Sequence, residues 1–128
     1  PLTGAAGGAI TGSVRVGSRP MGRGAVSLRL WRLEGSTVDG PIEALVPLDR
    51  EGAYILPNLA PGRYRMEYDP DTVEASGARG ASFTEYVRMR YGIEGGAWSK
   101  SGPFFVEVRP GQVSGAPPLV WSGLVSRR

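Results

Sequence analysis

The sequence predicts an all-β fold, a sandwich of seven to eight strands, and three observations lead there. Glycine (20) and proline (11) are abundant and spread along the whole 128-residue chain. Both interrupt helices and suit short strands joined by turns. No window sustains the i, i+3, i+4, i+7 apolar spacing of an amphipathic helix. Instead, short runs alternate apolar and polar residues, with turn-forming clusters between them at regular spacing. The length suits about one domain, and 41% hydrophobic residues suit a packed core rather than a disordered chain.

Residues 1–8, PLTGAAGG, read as a flexible linker, and residues 9–125 as a single sandwich domain. AITGSVRV places Ile10, Gly12, Val14 and Val16 on one face, the pattern of a half-buried strand. GSRPMGRG (17–24) is a loop, and AVSLRLWRL follows with Val26, Leu28 and Leu30 on one side and Ser27, Arg29 and Trp31 on the other. After the polar loop 34–41, IEALVPL (42–48) reads as a strand that lies at a sheet edge or ends at Pro47, which has no N–H to give to a ladder. Asp49-Arg50-Glu51-Gly52 reads as a hairpin turn and Ala53–Leu56 as a short strand. Pro61-Gly62 fits the centre of a type II turn. Arg63 to Tyr68 then alternates, with Tyr64, Met66 and Tyr68 inward. The pattern loosens from Asp69 to Pro103. Residues 69–82 read as a polar loop, FTEYVRMRY (83–91) as a strand on which Glu85 is out of pattern, and 92–103 as a Gly-rich loop. FFVEVR (104–109), the PGQ turn (110–112) and a last strand over Leu119–Val125 complete the order.

Three motifs carry a family resemblance. They are G-x-I-x-G-x-V from Gly8 to Val14, D-x-x-G-x-Y-x-L-x-N-L-x-P-G-x-Y-x-M from Asp49 to Met66, and V-x-P-G-Q from Val108 to Gln112. Together they resemble the carboxypeptidase regulatory-like domain, a transthyretin-like (prealbumin-like) sandwich of broadly Ig-like architecture, close to the collagen-adhesin B-type repeats. The resemblance covers roughly residues 8–68 and 104–122. It implies an accessory module on secreted peptidases, surface receptors or envelope lipoproteins, with no chemistry of its own. In adhesin-type relatives a lysine on an early strand bonds covalently to an asparagine on the last strand. Here the single lysine, Lys100, and the single asparagine, Asn58, stand elsewhere, so no isopeptide bond is expected. The segment 69–103 is longer than its counterpart in compact members and reads as an insertion, where long loops tend to carry function.

Lysine and arginine total 15 against 12 acids, a formal charge of +3. The arginines are scattered, as Arg15, Arg29, Arg65 and Arg88 show, each standing between two apolar residues. That is the spacing of a solvent-facing strand surface rather than a nucleic-acid footprint. With no cysteine and no histidine, Cys/His metal sites, a Ser-His-Asp triad and a thiol nucleophile are excluded. Asp69, Asp71 and Glu74 offer calcium-type oxygens, but without the ligand ladder of an EF-hand they read as solvated loop acids. No pair of acids stands out as an active site, and neither an enzyme nor a cofactor is expected. No apolar run approaches about 18 residues, so no transmembrane span or signal peptide is expected, and the chain, beginning at Pro1, reads as a processed form.

The candidate contact residues are Trp98, Tyr91, Arg90, Lys100 and Trp31. Trp98 in a polar loop can stack on a sugar ring, anchor a protein partner, or fold back to cap one end of the sandwich. Trp31 falls on an outer sheet face, where with Arg29 it forms a contact surface or shields a neighbouring strand. Three functions follow as expectations. The first is an interaction module of an exported bacterial envelope or surface protein, reaching a protein partner through residues 69–103 or a sheet edge. It would touch a membrane only through a lipid anchor outside this chain. The second is a carbohydrate-binding module whose platforms are Trp98, Tyr91 and Trp31. The third is a component similar to the small outer-membrane lipoprotein of type VI secretion machines, suggested by the VSLRLWRL strand.

Overall fold

The structure, a computed structural model, describes residues 7–34, 37–38, 41–75 and 82–125. In chain order the first half contains β1 (Gly8–Val16), β2 (Arg19–Pro20), β3 (Gly24–Glu34), β4 (Thr37–Val38), β5 (Ile42–Leu48) and β6 (Ala53–Leu59). The second half contains β7 (Gly62–Ala75), α1 (Phe83–Tyr91), β8 (Ile93–Ser99), β9 (Phe104–Val108), β10 (Val113–Gly115) and β11 (Leu119–Val125). The chain is mostly β, arranged in two sheets, with one short helix among the described residues.

Alternation decides which sheet face turns inward. On β3, Val26, Leu28 and Leu30 are fully buried while Arg29 between them is exposed. On β7, Tyr64, Met66 and Tyr68 are buried, and on β1 so are Ile10, Val14 and Val16. Each such aliphatic side chain contributes about 1.5–3 kcal/mol on burial. β1 organises the first sheet. It runs antiparallel to β6 (Gly12 opposite Tyr54) and parallel to both β10 and β11 (Ile10 opposite Ser114, Val14 opposite Leu119). β11 then pairs with β8, setting Trp121 opposite Trp98. The second sheet runs β5–β3–β7–β9, with β4 beside the end of β3.

The tyrosines of the 49–68 stretch pack the space between the sheets. The Tyr54 and Tyr68 hydroxyls lie 2.7 Å apart, and Tyr68 donates to the Pro117 carbonyl at 2.7 Å. Tyr68 has one proton, so the Tyr54 hydroxyl must be the donor between the two. Burial pushes the Tyr68 phenol up to about 12 and raises that of Tyr54 further. Gly12 makes room for this pair, because a side chain there would collide with the Tyr54 hydroxyl. Tyr64 donates to the Ala60 carbonyl four residues back, at 2.7 Å.

The structure corrects several expectations. Residues 83–91 form a helix, not a strand. Residues 69–75 continue β7, and 93–99 are β8 rather than loop. The Asp49–Gly52 turn does not close a hairpin within one sheet, because β5 pairs with β3 and β6 pairs with β1. It passes the chain between sheets, held by Asp49 Oδ1, which accepts from the Glu51 and Ala53 N–H groups at 2.8 and 3.0 Å. At the 57–62 corner the left-handed residue is Asn58 (φ 60°), and Gly62 opens β7 at φ 152° instead of centring a type II turn. The loop 17–24 contains β2 and the buried Met21. Of the linker expected over 1–8, residues 1–6 lie outside the described residues, and Gly8 already belongs to β1. The middle of the expected 69–82 loop, residues 76–81, also lies outside them.

Candidate functional site

The region that the sequence left irregular is built around α1. Ser82 caps its N-terminus, its hydroxyl accepting from the Glu85 N–H at 3.2 Å, and Gly92 closes the C-terminus in the left-handed conformation at φ 69°. Phe83, Tyr86, Val87 and Tyr91 then share one face, at the i, i+3, i+4, i+8 spacing of a helix. Val87 is completely buried, and the three aromatics pack against the core. Glu85, out of pattern on a strand, falls on the exposed side of the helix.

This helical face meets the inner face of β8 and β11. The Phe83 ring lies 4.7 Å from Trp98 and 5.0 Å from Trp121, centroid to centroid. Trp98 and Trp121, opposite each other across the strands, meet edge-on at 5.2 Å and 81°. Tyr86 extends the cluster to Phe83 (5.7 Å) and Tyr91 (6.2 Å). Such pairs contribute about 0.5–1.5 kcal/mol each beyond their area. Two polar atoms fasten the cluster. Trp121 Nε1 donates to the Gly95 carbonyl at 3.1 Å, and the Tyr91 hydroxyl donates to the Met21 carbonyl at 2.7 Å. Burial, the largest cause, raises the Tyr91 phenol pKa. The helix therefore closes the inner face of the first sheet over β8 and β11.

The five candidate residues are divided among four places. Trp98 and Tyr91 belong to the aromatic cluster, both half-buried, with Trp98 engaged by Phe83 and Trp121. Arg90 is exposed on α1 next to Tyr91. Lys100 is exposed in the link from β8 to β9, at φ 65°. Trp31 sits apart from them on β3 of the other sheet, with the Arg65 guanidinium 4.9 Å above its ring. Neither Tyr86 nor Trp121 is among these candidates. The signal for Tyr86 was the Ser82-x-x-Glu85 capping pair followed by Gly92, and that for Trp121 was its alternation with Leu119.

No family model, curated protein or solved structure matches this chain. What the region can do is therefore argued from its own groups.

Two surface features flank the aromatic cluster. On the outer side of α1, Met89 is 73% exposed between the exposed Arg88 and Arg90. Beside the helix opens a cleft of about 260 Å³, lined by Met21, Gly22, Arg23, Arg50, Tyr86 and Arg90. At the opposite sheet edges, Leu45 on β5 and Ile55 on β6 are also exposed, at 64% and 54%. Pro47 and Ile55 line a wider cleft between these strands.

Proposed function

We propose that this chain is a transthyretin-like, carboxypeptidase regulatory-like module that works by binding and does no chemistry, as part of an exported bacterial envelope or surface protein. It holds a protein partner on the outer face of α1. The observation that carries this reading is Met89, the most exposed of the large apolar side chains among the described residues, flanked by two arginines on a helix whose other face is anchored in the core. An apolar tip inside a cationic surround fits an acidic partner surface with an apolar recess. Because the helix is pinned by Phe83, Val87 and Tyr91, little ordering entropy is lost on docking.

Other groups that might have been reactive are occupied structurally. Asp49, its carboxyl held below the usual range mainly by the Ala53 and Glu51 N–H groups, organises a turn. The hydroxyls of Tyr54, Tyr64 and Tyr68 are all hydrogen-bonded within the fold. The sandwich family is supported by the 49–66 cassette, whose Tyr54 and Tyr64 fill the core of a two-sheet structure, and the envelope location rests on the resemblance that cassette carries.

The test is a photo-crosslinking amino acid placed at position 89 and, separately, at Leu45, with both proteins exposed to envelope fractions. A discrete adduct at 89 that is lost on adding Arg88→Glu supports the helix face. An adduct at 45 alone would move the contact to the β5 edge.

A further inference from the structure

We propose that the arginine-lined cleft beside α1 is a binding site for a phosphomonoester, a small ligand carrying a phosphate dianion. The site goes beyond the partner face around Met89, with which it shares Arg90, so the variants that test it are made at Arg23 and Arg50, outside that face.

Three segments remote in sequence bring Arg23, Arg50 and Arg90 to one cleft, and no carboxylate is among its described lining residues. Cations gathered around one cleft raise the local concentration of anions there. Asp49 lies within electrostatic reach of Arg23, but its carboxylate is bonded to the backbone of its own turn. Among the described residues, no hydrogen bond or ion pair commits the guanidinium of Arg23 or Arg50. Their donor forks are thus available for bidentate contact with phosphate oxygens.

The backbones that carry these arginines are tied together. The Met21 N–H donates to the Val14 carbonyl at 3.0 Å, and the Val14 N–H donates to the Gly52 carbonyl at 2.8 Å. Gly52 adopts φ 71° where a side chain would press on the Met21 and Gly22 nitrogens, so the 20–24 loop and the 49–52 turn are in direct contact. The Tyr91 hydroxyl, bonded to the Met21 carbonyl, draws the end of the helix onto the same loop. The backbone beneath the arginines is therefore set before a ligand arrives, and the ordering cost on binding is confined to the arginine side chains.

Charge and size choose the ligand class. A single carboxylate would leave two of the three guanidinium charges unanswered, whereas a dianion answers more of them. The cleft, at about 260 Å³, is far larger than the roughly 30 Å³ of one water, so it has room for the phosphate and an attached carbon skeleton. Tyr86 supplies an aromatic wall for that skeleton, and the bare Gly22 backbone lets it approach closely.

The test is an NMR titration of the intact chain with inorganic phosphate and with glycerol phosphate, at ionic strength held constant with chloride. Saturable shifts centred on the amides of Gly22, Arg23 and Arg50 are expected. The Arg23→Gln/Arg50→Gln double variant should bind at least about tenfold more weakly. Arg29→Gln, on an outer strand face, should bind like the wild type, and thermal melts establish that all variants are folded. A parallel co-sedimentation with phosphatidylcholine vesicles, with and without phosphatidic acid, separates the two sources of the ligand. Saturation by the soluble ester assigns a free metabolite, and binding only to phosphatidic-acid vesicles assigns a lipid headgroup. Shifts that rise linearly without vesicle binding, or equal losses in Arg29→Gln and the double variant, would overturn the site. Met89→Asp should leave phosphate binding unchanged, so failure of the partner face is read separately.

Discussion

The two aromatic-rich regions of this molecule solve the same packing problem by different means. In the 49–68 stretch, Tyr54, Tyr64 and Tyr68 come from alternating strand positions, are all buried, and have their hydroxyls bonded inside the fold. In the 83–99 segment, Phe83, Tyr86 and Trp98 are half-buried, with Phe83 and Trp98 packed ring on ring against Trp121 and Tyr86 against Phe83. They come from a helix and a strand whose periodicities differ. The first region joins its ring contacts to hydroxyls bonded in the buried interior. The second is held by contact area and ring geometry, with arginines left at its rim. That difference is the reason both proposed binding surfaces lie at the second region, whose outer side is not used up in making the core.

The sharpest way to break this contrast is Trp121→Ala. It removes the ring that both Phe83 and Trp98 contact, and such truncations cost about 3–5 kcal/mol. Denaturant unfolding should show that loss, and hydrogen exchange should show α1 opening before β6 and β7. Uniform opening would mean the two regions are one cooperative unit.

Alkaline pH should act on the other region. The Tyr68 phenol, pushed up to about 12 in the fold, ionises near 10 when unfolded. Its contribution is fully present below pH 10 and is lost as pH rises through 12, at about 1.4 kcal/mol per pH unit. Stability measured from pH 9 to 12 should therefore fall, and Tyr68→Phe should fall less steeply. Parallel curves would mean that the buried tyrosine pair is not responsible.

At neutral pH, Tyr68→Phe should cost about 1–3 kcal/mol, because it leaves the Pro117 carbonyl without its donor. Tyr91→Phe should cost less, since its hydroxyl bonds at a half-exposed site that water reaches. Equal losses in chemical denaturation would erase the distinction between a dry and a wet aromatic region. The smallest effect is expected from Ser82→Ala, about 1 kcal/mol from one lost cap, seen as a lower midpoint with helix content reduced by circular dichroism.

The same contrast explains what was legible in the sequence. Strand period dominated residues 9–68, and β1, β3 and β5 lie where alternation puts them, while β6 and β7 begin there but run on to Leu59 and Ala75. The two-sheet, mostly β architecture followed from that pattern. The helix did not, because FTEYVRMRY also places Phe83, Val87, Met89 and Tyr91 at the even spacings of two and four that satisfy one face of a strand. Its caps were the deciding information. Ser82, Glu85 and Gly92 are local chemistry that a strand has no use for. The arginine cleft was hidden for a different reason. Arg23, Arg50 and Arg90 are far apart in sequence, and only the turn between sheets and the Tyr91 bond bring them together.

The central claim is that the segment after the tyrosine stretch is a folded platform and not a loop. Backbone chemical shifts, with amide exchange measured on the same sample, test it most directly. The account predicts helical Cα shifts from Phe83 to Tyr91 and slow exchange at the Val87 amide, together with contacts between the Phe83 and Trp121 rings. Extended shifts over these residues, or a Val87 amide that exchanges as fast as a free peptide, would contradict it.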